Sequence, residues 1–90
     1  MHMDIEWDAD KAVANFKKHG VRFEEAAASL LDPQALAQED AGSLDEARWL
    51  LIGMSAGARL LTVVYTLRGE DRVRVISARK ATRKETEYYA

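Results

Sequence analysis

Three apolar segments in the back half of the chain are joined by very short connections. The segments run over 48–54, 59–66 and 72–78, and each connection between them contains a glycine. Connections this short join antiparallel strands, because a parallel crossover needs about a dozen residues or more. Residues 60–64 are apolar on nearly both faces, which predicts that this strand lies in the middle of the sheet. The back half therefore predicts a mainly antiparallel sheet.

The front half begins with a short strand and a helix. Residues 3–7 alternate apolar and acidic side chains, which is typical of a strand with one solvated face. Asp8 is a suitable N-cap, and an apolar stripe predicts a helix over 11–19. Gly20 is placed to end this helix, because glycine readily adopts the left-handed conformation at a helix C-terminus.

A second helix and a weak strand complete the front half. Residues 24–31 are rich in alanine and have glutamates in the first turn, which predicts a short helix. Pro33 ends it, because proline disfavours helical geometry in the residue before it. A weak strand over 35–38 and a polar loop over 39–45 are expected to follow.

The C-terminal segment predicts a closing helix. Thr82 and Glu85 have the spacing of a capping box, so residues 83–89 should be helical. The predicted order of elements is βααββββα, with two N-terminal helices and one C-terminal helix. This order predicts an α+β fold with a mainly antiparallel sheet.

Length and composition exclude several classes of protein. Ninety residues suffice for one hydrophobic core, so residues 1–90 are expected to form a single domain. The absence of cysteine excludes disulfides and thiolate metal sites, and a reducing cytosol is the simplest compartment. The longest apolar runs are far shorter than the roughly 20 residues that span a bilayer. We therefore expect a cytoplasmic protein that does not cross a membrane.

Charge is distributed unevenly along the chain. Residues 1–45 contain four Lys or Arg against ten Asp or Glu, whereas residues 46–90 contain nine against five. Arginine presents a planar set of donors that suits phosphate, so a polyanionic partner is one interpretation of the basic half. The other interpretation is that the two halves of the fold pair their charges.

Six cations lie close together near the end of the last predicted strand: Arg72, Arg74, Arg79, Lys80, Arg83 and Lys84. If the strand is regular, Arg79 shares a face with Val73 and Val75, at the rim of the core. A guanidinium in such a place needs partners. Two hypotheses follow, a structural ion pair with Glu85 or an acidic residue of the first helix, and a site that holds a phosphate.

The sequence offers little support for cofactor or metal chemistry. It has no glycine-rich phosphate-binding loop, so no cofactor is expected. Asp4, Asp8 and Asp10 are possible metal ligands, but solvation and helix capping already explain acids at these positions. His19 falls at a helix end, where it serves either as a cap or as a group that titrates near neutral pH.

The motifs of the chain, taken in order, resemble those of the BrnT-type toxins of type II toxin-antitoxin pairs. The resemblance covers nearly the whole sequence and depends on the combination and order of its parts. These are Trp7-Asp8, Lys11, Asn15, Lys18 to Val21, Phe23 to Ala26, Asp32-Pro33, Glu46, Arg48, Ile52-Gly53, Arg59 to Leu61, Val64 to Thr66, Ile76 to Thr82, Glu85 and Tyr88.

The resemblance implies a RelE-like α+β fold, cleavage of RNA by the free toxin, and neutralisation by a small antitoxin of the ribbon-helix-helix type. It also implies that the chain takes part in DNA regulation only indirectly, through the antitoxin. A ribonuclease of this kind needs no metal, because the RNA 2′-hydroxyl can attack its own adjacent phosphate.

Site residues follow from this interpretation. Arg79, with Arg59 and Arg48 as possible neighbours on adjacent strands, is predicted to hold the phosphate, and His19 or Glu46 to carry a proton. The predicted RNA-binding residues are Lys18, Lys80, Arg83 and Lys84. Two alternatives stay open: a module that binds a protein partner without catalysis, and a degenerate toxin that only binds its antitoxin.

Overall fold

The computed structural model describes residues 4–40 and 47–89. The elements follow one another in the predicted order: β1 (Asp4–Glu6), α1 (Ala9–His19), α2 (Phe23–Leu30), β2 (Leu36–Asp40), β3 (Arg48–Met54), β4 (Leu60–Arg68), β5 (Arg72–Lys80) and α3 (Arg83–Tyr89). Asp8 caps α1 by accepting from the backbone N–H groups of Asp10 and Lys11, and Gly20 ends α1 with a φ of 70°. No helix in the described ranges is long and apolar enough to cross a membrane.

The five strands form one sheet in the order β1-β5-β4-β3-β2. β4 is the central strand, as its apolar character predicted, and it pairs antiparallel with β3 and β5. β1 pairs parallel with β5, so the sheet is mixed at one edge. The predicted polar loop over 39–45 is wrong at Glu39 and Asp40, which belong to β2, and residues 41–45 lie outside the described ranges.

A bulge in β5 overturns the predicted orientation of Arg79. The β4–β5 register shifts between Val64 and Tyr65, which pair with Ser77 and Val75, so Ile76 is an extra residue. An extra residue reverses the alternation of side chains beyond it. Arg79 therefore shares a face with Arg72 and Arg74, and not with Val73 and Val75 as a regular strand required.

The two faces of the sheet are covered differently. On the helix-covered face, Phe23 and Ala26 of α2 pack against Leu61, Val63 and Val75, and all five side chains are almost completely buried. Complete burial of a side chain such as Phe23 contributes about 1.5–3 kcal/mol. The opposite face, which we call the open face, is covered by the short α3 at one end.

Two polar side chains connect elements that are distant in sequence. Asn15 of α1 donates to the Ala78 carbonyl at 2.8 Å and accepts from the Ala78 N–H at 3.1 Å, so its amide extends the ladder of β5. The Asp32 carboxylate accepts from the backbone N–H groups of Gln34 and Met54 and from the Tyr89 hydroxyl. These contacts fasten α1 to β5, and the end of α3 to the end of β3.

Candidate functional site

Most of the predicted site residues lie at one end of the sheet, which we call the basic end. β4 begins and β5 finishes here, since Leu61 pairs with Lys80. α1 ends here too, because the Gly20 carbonyl at its C-terminus accepts a hydrogen bond from Arg59. α3 also starts here, since the backbone N–H of Ala81, two residues before α3, donates to the Leu60 carbonyl. The basic end comprises Lys18, His19, Arg59, Arg79, Lys80, Arg83 and Lys84. It concentrates positive charge where four elements meet.

Arg79 is held by Glu85 through two hydrogen bonds. Its Nη1 donates to Oε1 at 2.8 Å and its Nη2 to Oε2 at 3.0 Å, while Nη1 also donates to the Lys80 carbonyl at 3.3 Å. The side chains of Arg79 and Glu85 are 37% and 18% exposed. The ion pair between Arg79 and Glu85, which was one of the two hypotheses for Arg79, is therefore present.

Glu85 is itself fixed by further donors. Its Oε1 accepts from the Thr62 hydroxyl and from the Thr82 backbone N–H, each at 2.8 Å, and the latter contact belongs to the predicted capping box. The hydrogen bond from Arg79 is the main cause that lowers the pKa of Glu85 from 4.5 to about 2, against the opposing effect of burial. Glu85 stays ionised at neutral pH and keeps Arg79 in place.

The Glu85 pair leaves part of the Arg79 guanidinium available. An arginine has five N–H donors, and the contacts with described residues use three of those of Arg79. The remaining two are the Nε–H and one hydrogen of Nη2, which lie on the same edge of the planar group. That edge matches the spacing of two phosphate oxygens, so the ion pair and a phosphate can occupy Arg79 together.

Arg59 is held by Glu25 in a different geometry. Nε donates to Oε2 and Nη2 to Oε1, both at 2.6 Å, and Nη2 also donates to the Gly20 carbonyl. The hydrogen bond from Arg59 lowers the pKa of Glu25, and the Ser55 hydroxyl donates to the same carboxylate. Arg59 faces α1 and α2, whereas Arg79 lies on the open face, so the two guanidinium groups meet the basic end from opposite sides of the sheet.

His19 lines a groove between α1 and the edge of β5 that faces away from β4. The groove has a volume of about 240 Å³, and its polar walls are Lys11, Asn15, Lys18, His19 and Ser77. Lys11, Asn15 and Lys18 share one side of α1 because they are spaced by four and three residues. The Asn15 contacts with Ala78 hold α1 beside the strand that carries Arg79. Neither Asn15 nor Ser77 was predicted as a site residue, because neither belongs to a motif whose spacing indicates a role.

One predicted site residue, Arg48, lies away from this cluster. Arg48 pairs with Thr66, whereas Arg79 pairs with Thr62, so the two arginines lie on the same face but about 13 Å apart along the strands. Arg48 is exposed. Glu46 lies outside the described residues. Within the described part of the chain, no three His, Asp or Glu side chains are grouped as metal ligands.

Comparison with known proteins identifies the same family along most of the chain. The model of the family "ribonuclease toxin, BrnT, of type II toxin-antitoxin system" matches residues 7–85. Among solved structures, the 1.1 Å crystal structure of the ribonuclease toxin BrnT of Brucella abortus is similar, with a TM-score of 0.66 and 29% identity. The match covers 90% of this chain and 99% of that chain. No curated protein sequence matches.

Proposed function

Because the chain belongs to the BrnT family of ribonuclease toxins of type II toxin-antitoxin systems, we propose that it is a metal-independent endoribonuclease. In this proposal it cleaves RNA, inhibits translation and is neutralised by a cognate DNA-binding antitoxin. The observation that carries the proposal is Arg79, which Glu85 holds with one two-donor edge unoccupied by described residues. The other cations of the basic end lie at the same end of the sheet.

The proposed reaction is attack by the RNA itself. The 2′-oxygen forms a bond to the adjacent phosphorus as its proton passes to a base, and the bond from phosphorus to the 5′-oxygen breaks as that oxygen receives a proton. Charge accumulates on the phosphate in the transition state. A donor aimed at such charge contributes on the order of 3 kcal/mol, and the Arg79 edge supplies two.

Each residue of the basic end has a proposed role. Arg79 holds the reacting phosphate, Arg59 contributes its unused Nη1 group, and Lys18, Lys80, Arg83 and Lys84 bind phosphates along the strand. His19 carries a proton, because a neutral imidazole can accept a proton at one ring nitrogen and donate one from the other. Glu25 and Glu85 are unsuited to that task, since their lowered pKa values make them weak bases.

The more detailed assignments remain predictions from the sequence and from the family resemblance. They are a RelE-like fold within a single domain, a ribbon-helix-helix antitoxin, contact with DNA only through that antitoxin, a cytoplasmic location, and contributions of Arg48 and Glu46 to the site.

The test is cleavage of RNA by the purified chain in excess chelator. We expect cleavage that is insensitive to the chelator and is abolished when the antitoxin is added. Intact RNA, or cleavage that requires an added divalent ion, contradicts the proposal. The same assay separates the toxin from a binding module or a degenerate toxin, because neither of these cuts RNA.

A further inference from the structure

The open face carries a groove that the RNA-cleavage site does not use. It has a volume of about 390 Å³ and is lined mainly by apolar side chains: Leu36, Ala37 and Gln38 of β2, Leu50 and Ile52 of β3, and Tyr88 of α3. Leu36 and Tyr88 are 44% and 61% exposed. The groove thus presents apolar surface beside α3, on the side of the sheet that lacks a full helical layer.

The three central strands carry charged side chains of only one sign on the open face. By register, all charged side chains that β3, β4 and β5 direct to the open face are arginines: Arg48, Arg68, Arg72, Arg74 and Arg79. The carboxylates on this face belong to β1, β2 and α3. Glu6 of β1 contacts Arg74 at 2.8 Å and Arg72 at 3.6 Å, Asp40 of β2 lies opposite Arg48, and Glu85 of α3 pairs with Arg79. An occupant of the open face therefore meets an apolar floor with cations beside it.

We propose that the open face docks an amphipathic helix of the antitoxin, with apolar residues on one side and acidic residues at its borders. A helix laid beside α3 completes the second layer that the sheet lacks, with its apolar stripe on Leu36, Leu50 and Tyr88. Its acidic residues face the central arginines, of which Arg48 is the nearest to Leu50 along β3. The partner itself follows from the family to which the chain belongs.

RNA is the poorer fit to this groove. Proteins that bind single-stranded RNA offer aromatic side chains on which bases stack, whereas the floor here is aliphatic and Tyr88 is its only aromatic residue among those described. Apart from Arg48, the cations that the ribonuclease proposal uses lie at the basic end, around the termini of β4 and β5.

The test measures binding of purified full-length cognate antitoxin to variants of the folded chain. Leu36→Glu and Tyr88→Ala should each weaken binding about tenfold or more, as loss of an interface anchor usually does. Leu67→Glu is the matched control, because Leu67 is 51% exposed on a strand of the same sheet but on the helix-covered face. It should bind as the wild type does.

RNA cleavage by the free chain is the second readout and should be unchanged in both groove variants. Wild-type binding by Leu36→Glu and Tyr88→Ala overturns the proposal, as does a loss of RNA cleavage in these variants, which assigns the groove to RNA. A loss of binding in Phe16→Glu instead assigns the antitoxin to α1, where Phe16 is 44% exposed. If the wild type binds antitoxin but never cuts RNA, the ribonuclease proposal fails and the docking proposal is still decided by the binding data.

Discussion

Arg79 and Arg59 lie at the same end of the molecule, and each is paired with a glutamate through two N–H groups. The pairs are similarly exposed, with Arg79 and Arg59 at 37% and 35%. They differ in which edge of the guanidinium the glutamate occupies. Glu85 takes the Nη1–Nη2 edge of Arg79 and leaves the Nε–Nη2 edge, whereas Glu25 takes the Nε–Nη2 edge of Arg59 and leaves only Nη1.

This difference shows how one arginine can be both structural and functional. A side chain with a free guanidinium loses conformational entropy when it binds phosphate, whereas Arg79 is already positioned by a carboxylate that Thr62 and Thr82 also hold. Glu85 provides the positioning, and the remaining edge of Arg79 provides two parallel donors. Arg59 has the same support but a less complete set of donors.

The largest effect is expected from Arg79→Ala. Loss of both donors should lower the rate of RNA cleavage by about 100-fold to 1,000-fold, in line with the removal of transition-state donors elsewhere. Circular dichroism should show a retained fold. The double variant Arg79→Ala, Glu85→Gln controls for the unpaired carboxylate, and it should be as inactive as the single variant. Cleavage at the wild-type rate in either variant contradicts the role of Arg79.

Arg59→Ala should have a smaller effect on cleavage, about tenfold, because Arg59 offers only its Nη1 group. It should also lower stability, since Glu25 loses its main partner and the last turn of α1 loses its contact through Gly20. Cleavage kinetics and urea unfolding of the same preparation measure the two effects. A loss of activity as large as that of Arg79→Ala shows that the two arginines contribute equally to cleavage. That result contradicts the claim that the edge left unoccupied by glutamate makes Arg79 the more important of the two.

The smallest effect is expected from Glu85→Gln, and it should depend on pH. The pKa of Glu85 is lowered to about 2 in the folded chain, so its ionised form stabilises the fold above the ordinary value of 4.5. That contribution is lost as the pH falls from about 4.5 toward 2. At pH 7 the variant should be less stable by about 1–2 kcal/mol, allowing for solvent screening at the partly exposed pair.

Urea unfolding at several pH values measures this difference, which should shrink as the pH falls through that range. A difference that is constant with pH shows that the Glu85 charge does not stabilise the fold. Glu25→Gln is the matched variant for the other pair, because the pKa of Glu25 is lowered by the same kind of contact.

The order of elements was predictable because the signals are local. Asp8, Gly20 and the Thr82–Glu85 capping box act within a few residues, and the observed bounds of β3 and α3 agree with those predicted. The parallel pairing of β1 with β5 joins residues almost 70 positions apart (Asp4 with Arg72), and no turn signal marks it.

The candidate site was predictable as a set of residues but not as a geometry. The prediction of the sheet face on which Arg79 lies was wrong, because one extra residue at Ile76 reverses the alternation of side chains. A run of β-branched and small residues gives no sequence signal for such a bulge. The contacts of Arg59 with Glu25 and of Asn15 with Ala78 form only when α1 and α2 pack on the sheet. Tertiary packing therefore decides which donors of each arginine remain.

The central claim is that Arg79 acts through a two-donor edge and not through charge alone. Arg79→Lys tests it most directly, because lysine keeps the charge and can pair with Glu85 but has no planar edge for a second partner. In single-turnover cleavage of RNA by the folded variant, we expect a loss close to that of Arg79→Ala. A rate for Arg79→Lys within a few-fold of the wild type contradicts the claim.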